Sequence, residues 1–205
     1  MTDLLRLTQW LSPAFPLSGY AYSHGLETAM ANGRVRDADG AYDWAATVLR
    51  HGSGALDAWL IRAAMAGGDP ADLRDIAAAR AGSAERWAET RDMGAAFATE
   101  TEALGEAPLP PGLPFPVALG LRARGMDPVT VVTLYLQAFA GQLVGAATRF
   151  LPLGQSEGQG VLRRLHPLIA EIAAHEDETP PPQSAFLADY DAMAHETLQP
   201  RIFRT

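Results

Sequence analysis

From Val129 to Ala147 the chain carries no charged residue. Within this stretch Val132, Leu136, Phe139, Leu143 and Ala147 fall at i, i+4, i+7, i+11 and i+15, so a helix places them on one apolar stripe. Asp127-Pro128 supplies a cap with Pro at the first helical position, and the helix is expected to reach about Phe150. It is nearly long enough to span a bilayer. However, Thr130, Thr133, Gln137 and Gln142 interrupt it, so it reads as the buried core helix of a bundle. Such a helix must be surrounded by other apolar helix faces.

The rest of the chain supplies those faces. No alternating Val, Ile, Thr or Tyr run bounded by tight turns marks a strand, and Ala-rich stretches of helical period fill most of the length. A first helix covers about Asp3 to Leu11 and stops at Ser12-Pro13. Ser18 is expected to cap a second that runs to Ala31 and ends at Asn32-Gly33. A third spans about Asp39 to Ala66. The glycines of His51-Gly-Ser-Gly54 inside it cost about 1 kcal/mol each relative to Ala, so a kink or a close helix crossing is expected. Asp69-Pro70 opens a fourth stretch that reaches Leu104 with a break at Gly82-Ser83. Pro108 to Pro116 is a rigid connection, followed by a short helix from Val117 to Arg124. After the long helix, Ser156 opens one that runs to His175, and Ser184 opens a last one that ends near Gln199-Pro200. Gly141 and Gly145, one turn apart, should admit a neighbouring backbone closely. The expectation is an all-α, single-domain bundle of about eight helices over residues 1–205, with a short tail at 200–205.

Composition removes several functions. Apolar residues make up 48%, enough for a sizeable core. The net charge of −8 argues against nucleic acid, which requires a dense basic surface. There is no cysteine, so disulfides, thiolate metal sites and Cys nucleophiles are excluded. There is also no lysine: all 16 basic residues are arginine. An ordinary P-loop needs its Lys, and Schiff-base chemistry needs one too. Met1 to Leu11 carries Asp3 and Arg6 and has no long apolar run, so no signal peptide is read there and the cytoplasm is the default compartment.

The remaining candidates are few. The five histidines form neither HExxH nor a close pair, so no metal site is read. His24 with Glu27, and Asp191 with His195, have helix-face spacing and suit surface pairs. No GxSxG elbow occurs, and the Gly-rich run Gly154 to Gly160 reads as a turn before a helix. Tyr20, His24 and Glu27 at i, i+4, i+7 suit an interface, with Tyr22, Leu26 and Met30 facing the core. Arg149 closes an otherwise uncharged helix, where it complements the helix C-terminus or presents a bidentate donor to a partner. The tail Arg201-Ile202-Phe203-Arg204-Thr205 sets an aromatic between arginines, a composition typical of binding hot spots. A protein that binds other proteins is the first expectation. A small helical enzyme or ligand-binding protein with a Tyr20/His24/Glu27 pocket is the alternative.

Four blocks together resemble the urease accessory protein UreF family: Ser12-Pro-Ala-Phe-Pro-Leu-Ser-Gly-Tyr-Ala-Tyr-Ser-His-Gly-Leu-Glu27, Asp92-Met-Gly94, Arg149-Phe-Leu-Pro-Leu-Gly-Gln155, and His195-Glu196 with Arg201-Ile-Phe-Arg204. The resemblance implies an all-α, usually dimeric, cytoplasmic chaperone subunit with no enzyme activity and no cofactor of its own. It implies partnership with a urease accessory protein D (or H) and the GTPase UreG, which together deliver nickel to apo-urease while UreG hydrolyses GTP. It also implies that the tail packs into the D partner through Arg201, Ile202, Phe203 and Arg204. The family often has Lys where this chain has Arg149, and Gln where it has His24.

Overall fold

The computed structural model describes residues 1–204. Among these the chain forms ten α-helices and no strand: α1 (Thr2–Trp10), α2 (Leu26–Ala31), α3 (Ala38–His51), α4 (Ser53–Met65), α5 (Pro70–Ala79), α6 (Ala84–Ala103), α7 (Phe115–Arg122), α8 (Pro128–Phe150), α9 (Gln155–Ala174) and α10 (Phe186–His195). The fold is therefore the all-α bundle expected.

Side chains start four of these helices. Asp37 accepts the Gly40 N–H, Asp69 those of Ala71 and Asp72, Ser83 that of Arg86 and Asp127 that of Thr130. Each satisfies donors that the first helical turn leaves orphaned, which is typically worth about 1 kcal/mol. Two other expected caps are corrected. Gly154, not Ser156, precedes α9, and its N–H donates to Glu157 Oε2 at 2.7 Å. Ser184 caps nothing; its N–H and that of Ala185 donate to the His51 carbonyl, tying the start of α10 to the end of α3.

Ten helices replace about eight because two expected helices split. The third breaks at Gly52 into α3 and α4. A Cβ on Gly54 would lie 2.6 Å from Leu49 Cα, so the glycines permit a sharp corner rather than a kink. The fourth breaks before Ser83.

α8 is the spine. It packs against α9, α4, α3 and α2, and Val132, Leu136, Phe139, Leu143 and Ala147 are all buried, as the stripe required. Burying each Leu or Phe of this stripe contributes roughly 1.5–3 kcal/mol. α8 is long and apolar enough to cross a membrane, yet half of its most apolar window is buried inside the protein. Gly141 and Gly145 differ from expectation. Nothing lies within 4 Å of a Cβ built on either, so they floor an open groove and receive no helix. The close approach occurs elsewhere, at Gly94 of α6, where a Cβ would sit 2.0 Å from the Leu113 carbonyl. Gly94 lets the proline-rich connection cross α6 and deliver Phe115 to the core.

Aromatic rings extend that core towards the candidate site. Trp10 meets Phe97 edge-on at 5.6 Å, Phe97 meets Phe115 at 5.3 Å, and the chain continues through Tyr135 and Phe139 to the His24 ring at 4.6 Å. Edge-to-face pairs of this kind add about 0.5–1.5 kcal/mol each beyond area burial.

Candidate functional site

The segment from Ser18 to Glu27 is not the continuous helix that its caps suggest. Gly19–Ala21 makes a single 3-10 turn, and α2 holds only Leu26–Ala31. Ser18, His24 and Gly25 adopt left-handed backbone, at φ 57°, 55° and 76°. For His24 that conformation costs on the order of 1–2 kcal/mol, so surrounding contacts must hold it. Gly25 has a packing reason as well: a Cβ there would lie 2.6 Å from the Ala192 nitrogen, where α2 runs against α10. Tyr22, Leu26 and Met30 face the core as expected.

The break separates the three residues expected on one face. Tyr20 is 67% exposed and borders the groove. His24 and Glu27 turn inward, and each joins a different buried cluster.

His24 belongs to the first. Its Nε2 lies 3.0 Å from Glu89 Oε1 on α6. Arg86, one turn earlier on α6, donates to Asp57 Oδ2 at 2.7 Å and lies 3.5 Å from Glu89 Oε2. Tyr135 of α8 donates its hydroxyl to the same Asp57 oxygen at 2.6 Å. Burial pushes the Asp57 carboxyl above its ordinary range, and Arg86 only partly offsets this. Burial acts on Glu89 in the same sense, but His24 and Arg86 outweigh it and hold that carboxyl below the usual glutamate range. Burial disfavours the charge on Arg86, yet Asp57 and Glu89 together hold it ionised. Burial, then the Asp57 charge, push the Tyr135 phenol well up. The cluster ties α4, α6 and α8 to the segment before α2. His24 also lines two small cavities of about 40 and 30 Å³ beside it, a size that suits ordered water.

Glu27 belongs to the second cluster, and this one grips the tail. Glu27 is 1% exposed. Its Oε1 accepts the Ile202 N–H at 2.6 Å and its Oε2 the Phe203 N–H at 2.8 Å. His195 Nε2 lies 2.9 Å from Oε2. On its other side, His195 Nδ1 lies 2.7 Å from Glu85 Oε2, and Arg201 donates to Glu85 Oε1 at 2.6 Å. The Arg204 N–H donates to the Ala21 carbonyl at 2.7 Å. The Phe203 ring is buried, with the Arg149 guanidinium 4.8 Å from its centroid. That stacking contributes about 0.5–1 kcal/mol at such a site, and Arg149 Nε also donates to the Gly145 carbonyl at 3.0 Å.

Thus Glu27, Arg149, Arg201, Ile202, Phe203 and Arg204 come together, while His24 joins the other cluster and, among the described residues, Tyr20 makes no hydrogen bond to the tail but borders the groove that Arg149 also lines. Thr205, the last residue of the expected tail, lies outside the described residues. Two surface pairs are corrected too. Asp191 and His195 are fully buried and do not pair with each other: Arg34 bonds Asp191, and His195 bridges the two glutamates. Glu27 pairs with His195, not with His24.

Two surfaces surround this centre. The groove over α8 has a volume of about 640 Å³ and is walled by Trp10, Phe15, Tyr20, Leu134, Gly141 and Leu162 among others. The second was missed in the sequence. α10 buries Ala188, Asp191, Ala192 and His195, and leaves Phe186, Leu187, Tyr190 and Met193 exposed. Its large apolar residues face outward and its small ones inward, an inversion of ordinary amphipathic packing. The signal was present in the alternation of alanines with large residues at i, i+1, i+4 and i+7. Among the described residues no group of three or more His, Asp or Glu is placed to hold a metal.

Comparison with known proteins gives one consistent result. The UreF family model matches residues 35–166. A protein of Cereibacter sphaeroides named urease accessory protein UreF is 54% identical over 207 residues, covering 98% of each chain. Proteins of the same name from Dinoroseobacter shibae and Ruegeria pomeroyi are 50% and 42% identical; the first covers 98% of both chains, the second 99% of this chain and 97% of its own. A family match over more than half of the chain, with relatives this similar over nearly its full length, places the chain in the UreF family of urease accessory proteins.

Proposed function

We propose that this chain is a non-catalytic, cytoplasmic chaperone subunit of urease maturation. It binds a D- or H-type accessory protein and the GTPase UreG, and positions them so that nickel enters apo-urease in a GTP-dependent step. GTP hydrolysis belongs to UreG: this chain has no lysine with which to build a P-loop.

The observation that carries this reading is α10, which turns Phe186, Leu187, Tyr190 and Met193 to solvent beside an ordered tail. Aromatic, Met and Leu side chains exposed on one helix form an apolar surface that a monomer does not need and a partner would cover. We assign that surface, with the tail, to the D- or H-type partner. The family resemblance implies a dimer, and we assign the groove floored by Gly141 and Gly145 to the second copy of the chain. The structure gives no support to the alternative pocket, since Tyr20, His24 and Glu27 do not converge.

Reconstitution tests the function. Apo-urease, the D- or H-type partner, UreG, nickel and GTP are combined with and without this chain, and the metal content of urease is measured. Nickel-loaded, active urease is expected only when the chain is present. Equal loading without it would overturn the proposal. Calorimetry of the isolated chain with Ni²⁺ separates positioning from carriage: no tight binding is expected.

A further inference from the structure

We propose that protonation of His195 decides whether the C-terminal tail is docked. The inference concerns the chain alone and does not depend on the identity of its partners.

The tail is held largely through groups that converge on one imidazole. His195 is fully buried on the inner face of α10. From α2 it faces Glu27, at 2.9 Å from Nε2, and from α6 it faces Glu85, at 2.7 Å from Nδ1. From the tail, Arg201 reaches the other oxygen of Glu85. On α10 itself, Asp191 is one turn away and is engaged by Arg34, and just past its end Glu196 accepts the Ala84 N–H. Glu89 of α6 is paired with His24.

A neutral imidazole has one N–H and one lone pair. It can therefore donate to only one of two flanking carboxylates, and its other nitrogen then meets an acceptor with an acceptor. Glu27 already accepts two main-chain N–H groups, and Glu85 already accepts from Arg201. Both carboxylates are thus already engaged as acceptors. The docked arrangement is complete only when the ring is an imidazolium that donates from both nitrogens.

The direction follows from linkage. A group whose proton is needed by the docked state stabilises docking at low pH, and that stabilisation is lost as pH rises and the proton leaves. With the proton gone, Glu27 and Glu85 stand on either side of a ring that can satisfy one of them. The tail has an exit, because its main-chain N–H groups can bond water instead. Docking turns Phe203 inward and leaves Ile202 70% exposed, so release changes what the chain presents at this end.

The test is a pH titration of the full chain by NMR, from about pH 5.5 to 9, across the range in which histidines titrate. The ¹⁵N shifts of the His195 ring report its protonation. Hydrogen-exchange protection factors of the Ile202 and Phe203 amides, corrected for intrinsic rates, report docking. The ring is expected to be doubly protonated while the amides are protected. As it deprotonates, their protection should fall about tenfold or more, the loss of one charge-assisted hydrogen bond, while the amides of Leu136 and Leu143 in α8 stay protected. His195→Gln, with one donor and one acceptor edge, should show low tail protection that no longer varies with pH. A neutral ring with both tail amides protected would overturn the proposal. So would protection that is unchanged through ring deprotonation, or loss in the tail and α8 together. If His195→Gln does not fold, the wild-type titration alone decides.

Discussion

The two buried charge clusters look alike in composition and differ in what they hold. Asp57, Arg86, Glu89, His24 and Tyr135 join side chain to side chain across α4, α6 and α8. Glu27, His195 and Glu85 join side chains to each other and to the main chain of a terminal segment. The first cluster is built only from side chains on packed segments: if one member is removed, the others stay in the interior with fewer partners. The second includes a terminal segment, and the tail can leave. Similar chemistry therefore fixes a core in one place and a detachable element in the other.

The largest expected effect is on the first cluster. Arg86→Ala strands Asp57 and Glu89 in the interior and should cost about 3–5 kcal/mol in denaturant unfolding, the range for breaking a buried ion pair from one side. Retained stability in this variant would break the contrast. Glu27→Ala should cost less, about 2 kcal/mol, because its main-chain donors find water when the tail is released. Its signature is selective: hydrogen exchange should rise at Ile202 and Phe203 while α8 amides stay protected. The clusters should also fail at opposite ends of the pH scale. Glu89, held below the ordinary glutamate range by His24 and Arg86 against its burial, contributes stability above that range and loses it as pH falls through its folded value. Glu89→Gln should therefore flatten the acid limb of the stability curve, leaving tail docking at neutral pH unchanged. The smallest effect on stability is expected at the outer face of α10. Tyr190→Asp should stay within about 0.5 kcal/mol of the parent, yet weaken capture of the D- or H-type partner by roughly tenfold or more, as loss of an aromatic interface anchor does.

The fold was legible where local chemistry and periodicity agree. The Asp127 cap and the apolar stripe of α8 gave that helix its limits and its buried face, and Asp69 and Ser83 marked the starts of α5 and α6. The site was legible as residue types and misread as geometry. Tyr20, His24 and Glu27 have helical spacing, but Ser18, His24 and Gly25 take left-handed backbone that nothing local demands. Only the approach of α10 at Gly25, and the burial of His24 against Glu89, impose it. The same long-range cause hid the partners of Glu27. His195 and Ile202 lie far along the chain and become neighbours only when α10 packs on α2. The tail showed its hot-spot composition in the sequence, but its cradle of Glu27, Glu85 and Arg149 comes from three separate helices. The exposed face of α10 was missed because a large-residue stripe is ordinarily read as the buried one.

The central claim is that this UreF-family chain works by protein binding, with its tail as part of the binding surface. It is tested most directly by capture of the D- or H-type accessory protein with the full chain and with a chain ending at Gln199, both checked for folded helix content. Capture is expected to fall at least tenfold without the tail. Equal capture by the two chains would contradict it.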